Sequence, residues 1–178
     1  MNLLKTSLLA VVCSVSMAAT AAPINLIENG SFEDPDVAVG HWAYFTSAEV
    51  DGWSGSNVEI WDHLGGEAAY EGEQFAELNA HPGDGSAFTI YQDIATTVNQ
   101  SYDYSFAYQA RSNASESFNV SIDAITSNPF GLPITSSDIS NIETTLIDQI
   151  TTTGWTLFTG SFIATTDLSR IAFTTVVP

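Results

Sequence analysis

The chain has 178 residues, of which 44% are hydrophobic, and it carries only three basic side chains against 21 acidic ones, a formal charge of −18. Such a field repels polyanions, so nucleic acid and anionic lipid surfaces are excluded as expected partners, whereas divalent cations and neutral ligands fit it. The acidity has a second explanation that stays open, which is the solubility of a secreted or salt-adapted protein.

The first 22 residues have the pattern of a secretory signal peptide. Lys5 precedes an apolar run at 8–18, and the small residues 19–22 follow it. The run is too short to span a membrane. Removal of this leader takes away Cys13, the single cysteine, so the mature chain cannot form an internal disulfide. We therefore expect an exported protein, secreted or at the cell surface, with one domain at 23–178, a monomeric state and no membrane insertion.

Hydrophobic alternation with a period of two recurs along the mature chain and predicts an all-β fold. The clearest example is 101–111, where Tyr102, Tyr104, Phe106 and Tyr108 fall on one face and mostly polar residues on the other. Turn-forming pairs such as Asn29-Gly30 and Gly65-Gly66 separate the runs. Strands are predicted at 25–27, 42–46, 58–61, 75–79, 87–94, 101–111, 117–124, 155–163 and 171–177.

This spacing is typical of a β-sandwich with Greek-key or jelly-roll connections. The region 126–153 is poorer in aromatic residues and is interpreted as a long excursion with one helical turn at 137–148. The last predicted strand, 170–177, has no successor to pair with. Either the N-terminal strand covers its edge or the sandwich lacks a closing strand.

The segment NLIENGSFE at 25–33 resembles the opening of carbohydrate-binding modules of the galactose-binding-like jelly-roll class, and the Gly-Trp at 52–53 resembles a pair that follows there. The stretches EIWDH, AYEGEQFAELNA, IYQDI and YSFAYQAR are similar to secreted bacterial surface domains related to a plant cell-wall family that binds polysaccharide. The resemblance covers most of 25–122. It implies a jelly roll that recognises an extracellular glycan or polysaccharide.

The densest group of aromatic and acidic residues lies at 58–80 and supplies most of the candidate binding side chains. Aromatic rings stack on the apolar faces of sugars, while charged and amide groups bind their hydroxyls. The candidates for stacking are Trp61, Tyr70 and Tyr91; the candidates for hydroxyl binding are Asp62, Glu77, Asn79, Gln92 and Arg111. Because VEIWDH alternates, Glu59 and Trp61 point to one side, and Ile60 and Asp62 point to the other.

Each candidate also has a structural alternative. Trp61 could be a core tryptophan, and Glu77, Asn79 and Gln92 could form a buried hydrogen-bonded network. Arg111 could compensate charge by holding Glu59, Glu77 or Asp62. The loop 65–73 with Tyr70 is the expected exposed surface.

Calcium is the expected cofactor, in a structural role. Glu28 and Glu33 flank a turn whose carbonyl groups can join a carboxylate in an oxygen-only site, which calcium accepts. The resemblance implies that the glutamate of the first turn shares this ion with an aspartate of a closing strand, and the sequence ends before a segment of that kind.

The leading function is non-catalytic binding of a neutral or weakly charged extracellular polysaccharide. One alternative is a structural or adhesive envelope protein without a sugar site. A less favoured one is a polysaccharide-degrading enzyme that uses a carboxylate pair such as Glu59 and Glu77. His41, His63 and His81 lack the close spacing of a zinc site.

Overall fold

The computed structural model describes residues 24–83, 85–111, 116–126, 133–148 and 150–176. The predicted signal peptide at 1–22 lies outside them. The strands are β1 (His41–Phe45), β2 (Ser54–Gly55), β3 (Val58–Asp62), β4 (Gln74–Glu77), β5 (Thr89–Ala95), β6 (Ser101–Tyr108), β7 (Phe118–Ile125), β8 (Ile139–Ile147), β9 (Thr156–Ile163) and β10 (Leu168–Thr175). Single-turn 3-10 helices occur at Ser47–Glu49, Leu64–Gly66 and Ser136–Asp138. Within these ranges no helix is long and apolar enough to span a membrane.

The strands form antiparallel sheets that pack as a β-sandwich, as the alternation predicts. One sheet has five strands in the order β2-β5-β10-β7-β8. The opposing layer consists of a three-stranded sheet, β1-β3-β4, and a pair, β6-β9. Buried side chains from both layers form two hydrophobic clusters, one under β6-β9 and one under β1-β3-β4.

The larger cluster confirms the predicted faces of β6 and β7. Tyr102, Tyr104 and Phe106 point inward from β6 onto Val120 and Ile122 of β7. The ring of Tyr104 explains why residue 160 is a glycine. Gly160 is the cross-strand partner of Tyr104. A Cβ atom at this glycine would lie 2.5 Å from the Tyr104 ring, so only glycine leaves room for it.

The segment before β1 is held by side chains and not by strand pairing. Residues 25–27 form no strand, so that prediction was wrong. The buried Gln92 amide accepts the backbone N–H of Glu28 (2.7 Å) and donates to its carbonyl oxygen (3.0 Å). Phe32 stacks on the buried Trp53 at a ring separation of 4.9 Å. One glutamine thus satisfies the backbone groups that a strand would have paired.

The last strand does not lie at an open edge, contrary to the sequence interpretation. β10 is hydrogen-bonded to β5 on one side and to β7 on the other, over seven and eight register pairs. Both neighbours come from far earlier in the chain. Because β10 lies in the middle of its sheet, both of its edges are already paired and it needs no later strand beside it.

The predicted helical turn at 137–148 was also wrong. A 3-10 turn at Ser136–Asp138 leads directly into β8, which pairs with β7 along its length. The register shifts between Ile122 and Asp123, opposite Glu143 and Asn141, so the strand contains a β-bulge. The extra residue interrupts the period of two, and this explains why the alternation was not visible in the sequence.

Candidate functional site

The outward side of the three-stranded sheet collects aromatic and acidic side chains. In β3, Val58 and Ile60 point into the core, and Glu59 and Trp61 share the other side of the strand, as predicted. The structure places that side on the outer surface of the sheet. Antiparallel pairing fixes their neighbours. Trp42 of β1 and Phe75 of β4 flank Trp61, and Tyr44 and Glu77 flank Glu59. We call this surface the aromatic face, defined by Trp42, Tyr44, Trp61, Phe75 and Trp155.

The exposed rings of the aromatic face are Trp42 and Tyr44, and not Trp61, which the sequence analysis proposed for stacking on sugars. Trp42 and Tyr44 are 41% and 51% exposed, whereas Trp61 is only 8% exposed. The guanidinium carbon of Arg111 lies 4.6 Å from the centre of the Trp61 ring and covers it. Phe75 contacts Trp61 on one side (5.9 Å between centroids) and Trp155 edge-on at 5.3 Å. Trp61 is therefore the support of this face, and Trp42 and Tyr44 are its open contact area.

A buried carboxylate organises the aromatic face. Glu59 is 2% exposed and accepts a hydrogen bond from the indole nitrogen of Trp61 at 2.8 Å. Its other oxygen accepts the backbone N–H of His81 at 3.0 Å and lies 2.7 Å from a ring nitrogen of that histidine. The His81 ring in turn packs against Trp42 at 5.0 Å. Glu59 thus connects the supporting Trp61 to the exposed Trp42.

Glu77 and Arg111 form a long ion pair beside this network, one of the pairings that the sequence suggested for Arg111. Arg111 Nη1 lies 3.8 Å from Glu77 Oε2. Burial raises the pKa of Glu77, Arg111 opposes that rise, and the neighbouring Glu59 adds to it. The Asn79 backbone lowers this pKa in part, yet burial remains the larger effect. The charge of the Glu77 carboxylate is therefore poorly compensated.

Glu77→Gln is expected to stabilise the protein at neutral pH and not in acid. The pKa of Glu77 is higher in the folded state than its ordinary value of 4.5, so the folded state binds more protons between the two values. Its stability relative to a neutral isostere therefore falls as pH rises through that window. Thermal unfolding of both proteins at pH 3.5 and pH 7 measures this. A stabilisation of equal size at both pH values would contradict it.

The loop between β3 and β4 borders the aromatic face. Tyr70 is 54% exposed there, as the sequence predicted. The loop is anchored by the indole nitrogen of Trp155, which donates to the Ala68 carbonyl oxygen at 2.8 Å, and by a long contact of 3.4 Å from Gln109 Nε2 to Glu67. Tyr70 is therefore carried by a loop whose base is attached to the aromatic face.

A shallow depression of about 500 Å³ lies on the β6-β9 pair of the same layer. Its outward side chains are small hydroxyl groups and one acid, in contrast to the aromatic face. The residues that line it are Asp103, Tyr104, Ser105, Thr159, Gly160 and Ser161. Tyr104 itself points inward and donates to Glu143 of the opposite sheet at 2.7 Å, and burial raises its pKa to about 12.

The remaining predicted binding residues do not all join this face. Asp62 is 1% exposed and its carboxylate contacts the Nδ1 atom of His63. Asn79 is exposed in the turn after β4. Tyr91 and Gln92 belong to β5 of the opposite sheet, where Tyr91 lies under Arg170 at 3.5 Å and Gln92 tethers Glu28. Of the eight predicted residues, the structure brings Trp61, Glu77 and Arg111 into contact.

The two predicted calcium ligands have different surroundings. Glu33 Oε1 accepts the backbone N–H groups of Glu73 (2.9 Å) and Gln74 (3.1 Å). Glu28 is exposed and is held through its backbone. Among the residues that the structure describes, no group of three or more acidic, histidine or cysteine side chains could hold a metal ion. The side chains around Glu33 do not by themselves complete an ion shell, and calcium binding stays a prediction.

Trp42 and Tyr44 were absent from the predicted site, although the sequence contained a signal for them. HWAYF alternates, and Ala43 and Phe45 pack in the core. The other two aromatic residues must then point outward. What the sequence did not indicate is that β1 pairs with β3 and places Trp42 beside Trp61.

No protein-family model matches this chain, and no curated protein matches it. One solved structure, described as "CBM4 structure and function", is similar to it. The two chains are 19% identical, the match covers 83% of this chain and 86% of the other, and the TM-score is 0.45.

Proposed function

We propose that this protein binds polysaccharide without catalysis, through the aromatic face. The observation that carries the proposal is the pair of exposed rings, Trp42 and Tyr44, on the same sheet face as Glu77, with Arg111 lying over Trp61 of the central strand. Rings on strands present flat apolar area at little entropic cost. The neighbouring Arg111 and Glu77 supply a donor and an acceptor for hydroxyl groups.

An extended chain fits this surface better than a single sugar. Trp42, Trp61 and Phe75 follow one another across three paired strands. With neighbouring strands about 4.8 Å apart, this row spans about 10 Å, and Trp155 extends it further. Trp61, in the middle of the row, is covered by Arg111, so we propose that successive units of a polymer contact the exposed Trp42 and the Arg111 side chain.

Non-catalytic binding suits the acids of this face better than hydrolysis does. Glu59 and Glu77 are cross-strand neighbours, but the Glu59 carboxylate is buried and engaged by Trp61 and His81. A general base needs access to a substrate proton or water, and this carboxylate has its acceptors already occupied.

An adhesive envelope protein is the second candidate. Leu157 and Ile163 of β9 are 50% and 59% exposed. Exposed apolar side chains of this kind are compatible with protein contacts. In either case we propose a secreted or cell-surface location, which rests on the predicted signal peptide.

Binding of the mature protein, 23–178, to a panel of soluble polysaccharides tests the proposal. We expect at least one neutral polysaccharide to bind, and its oligosaccharides to bind more tightly than the single sugar does, because the aromatic row is longer than one unit. Titration calorimetry with added calcium, and again after chelation, would test the calcium prediction. No binding across the neutral panel in either state would reject the function, and turnover of a bound glycan would favour the enzyme.

A further inference from the structure

The two arginines in the described part of the chain occupy opposite kinds of environment. Arg170 makes two short hydrogen bonds to Asp93, at 2.6 and 2.9 Å, and its side chain is 12% exposed. Arg111 is 59% exposed, and its contact with Glu77 is 3.8 Å. That distance is longer than a hydrogen bond. Arg170 is a closed structural ion pair, whereas Arg111 and Glu77 are adjacent without being bonded to each other.

The contact with Trp61 places the guanidinium group of Arg111 on the aromatic face. The guanidinium group carries five N–H donors in its own plane. That group lies over the Trp61 ring at 4.6 Å, and the side chain is 59% exposed, so its N–H donors stand at the surface of the aromatic face. Glu77 stands on the same face as an acceptor, with Oε2 3.8 Å from Arg111 Nη1. A donor and an acceptor thus stand side by side, with a gap between them.

We propose that Arg111 and Glu77 together read two adjacent free hydroxyl groups of one sugar unit, one hydroxyl accepting from Arg111 and the other donating to Glu77. The ligand class is an uncharged polysaccharide with unsubstituted neighbouring hydroxyls. This inference rests on the proposed function and deepens it. Glu59 and Glu77 lie close to the same spot, so a polymer of uronic acids would bring like charges together.

The experiment compares substituted and unsubstituted polymers on matched variants. Affinity is measured by calorimetry for a β-glucan, a xylan and a galactomannan, each in native and O-methylated form, and for polygalacturonate. We expect the wild type to bind a native neutral polymer and to bind its methylated form at least about tenfold more weakly. Arg111→Lys keeps the charge but loses the planar donors, so it is expected to bind the native polymer about tenfold more weakly with an unchanged melting temperature.

Arg170→Lys is the matched control on the opposite sheet. It loses the paired hydrogen bonds to Asp93 and is expected to melt at a lower temperature while keeping the affinity. If the wild type binds no polymer, the proposed function and the hydroxyl pair both fail. If the wild type binds but Arg111→Lys binds equally well, or methylation has no effect, the hydroxyl pair alone fails. Preferred binding of polygalacturonate would overturn the assigned ligand class.

Discussion

Glu59→Gln is expected to lower the free energy of unfolding by about 3 kcal/mol. The wild-type carboxylate is buried and accepts N–H groups from Trp61 on one oxygen and from His81 on the other. Glutamine has almost the same shape, but one of its two positions is an NH₂ group. In either orientation one N–H group keeps an oxygen acceptor, and the other faces the NH₂ group and loses its acceptor. Chemical denaturation at pH 7 measures the change.

Glu71→Gln provides the matched control for this prediction. Glu71 is an exposed acid in the loop between β3 and β4, and the same chemical change there is expected to alter stability by less than about 0.5 kcal/mol. Both variants change the net charge equally, so a general charge effect would appear in both. Equal stability of the two variants would show that the Glu59 hydrogen bonds do not hold the aromatic face together.

Trp42→Ala is expected to weaken polysaccharide binding by about thirtyfold, which corresponds to about 2 kcal/mol, the size typical of an aromatic anchor at an interface. Trp42 is 41% exposed and packs on His81 at 5.0 Å, so much of its ring is open to a ligand. Because the ring is only partly buried, the cost to folding stability is expected to stay below about 1 kcal/mol. Calorimetry with the polymer selected by the panel, together with thermal unfolding, measures both quantities.

Leu146→Ala is the control for loss of exposed apolar area. Leu146 is 53% exposed on β8 of the opposite sheet and is expected to leave the affinity unchanged. Unaltered binding by Trp42→Ala would place the ligand elsewhere. Trp61→Ala is a poorer test, since Trp61 is 8% exposed and its removal opens a cavity that costs about 3 to 5 kcal/mol of stability.

The alternation of side chains predicted the orientation of individual strands well, because this property is local to each strand. Tyr102, Tyr104 and Phe106 face the core, and Glu59 and Trp61 share one side of β3, as expected. Where a strand departs from the alternation of side chains, the prediction of its secondary structure failed. The β-bulge in β8 shifts the register and conceals a strand that was interpreted as a helical turn.

The candidate site was predicted only in part, since it depends on which strands become neighbours. The segment 58–80, chosen from the sequence as the richest in aromatic and acidic residues, contributes Glu59, Trp61, Phe75 and Glu77 to the aromatic face. Tyr91 and Gln92 were added from a nearby segment, but β5 belongs to the opposite sheet. Trp42 was missed although it is the direct cross-strand partner of Trp61. Proximity along the chain was a poor guide to proximity on the sheet surface.

The sequence by itself determined the all-β class, the acidity and the two faces of strands with clear alternation, such as β6 and β7, because composition and a period of two do not depend on distant contacts. Only the tertiary structure decided that β10 lies between β5 and β7, that β1 pairs with β3, and that Arg111 covers Trp61. These arrangements arise from pairing between segments far apart in the chain. Their energy lies in packing and hydrogen bonds that no local pattern encodes.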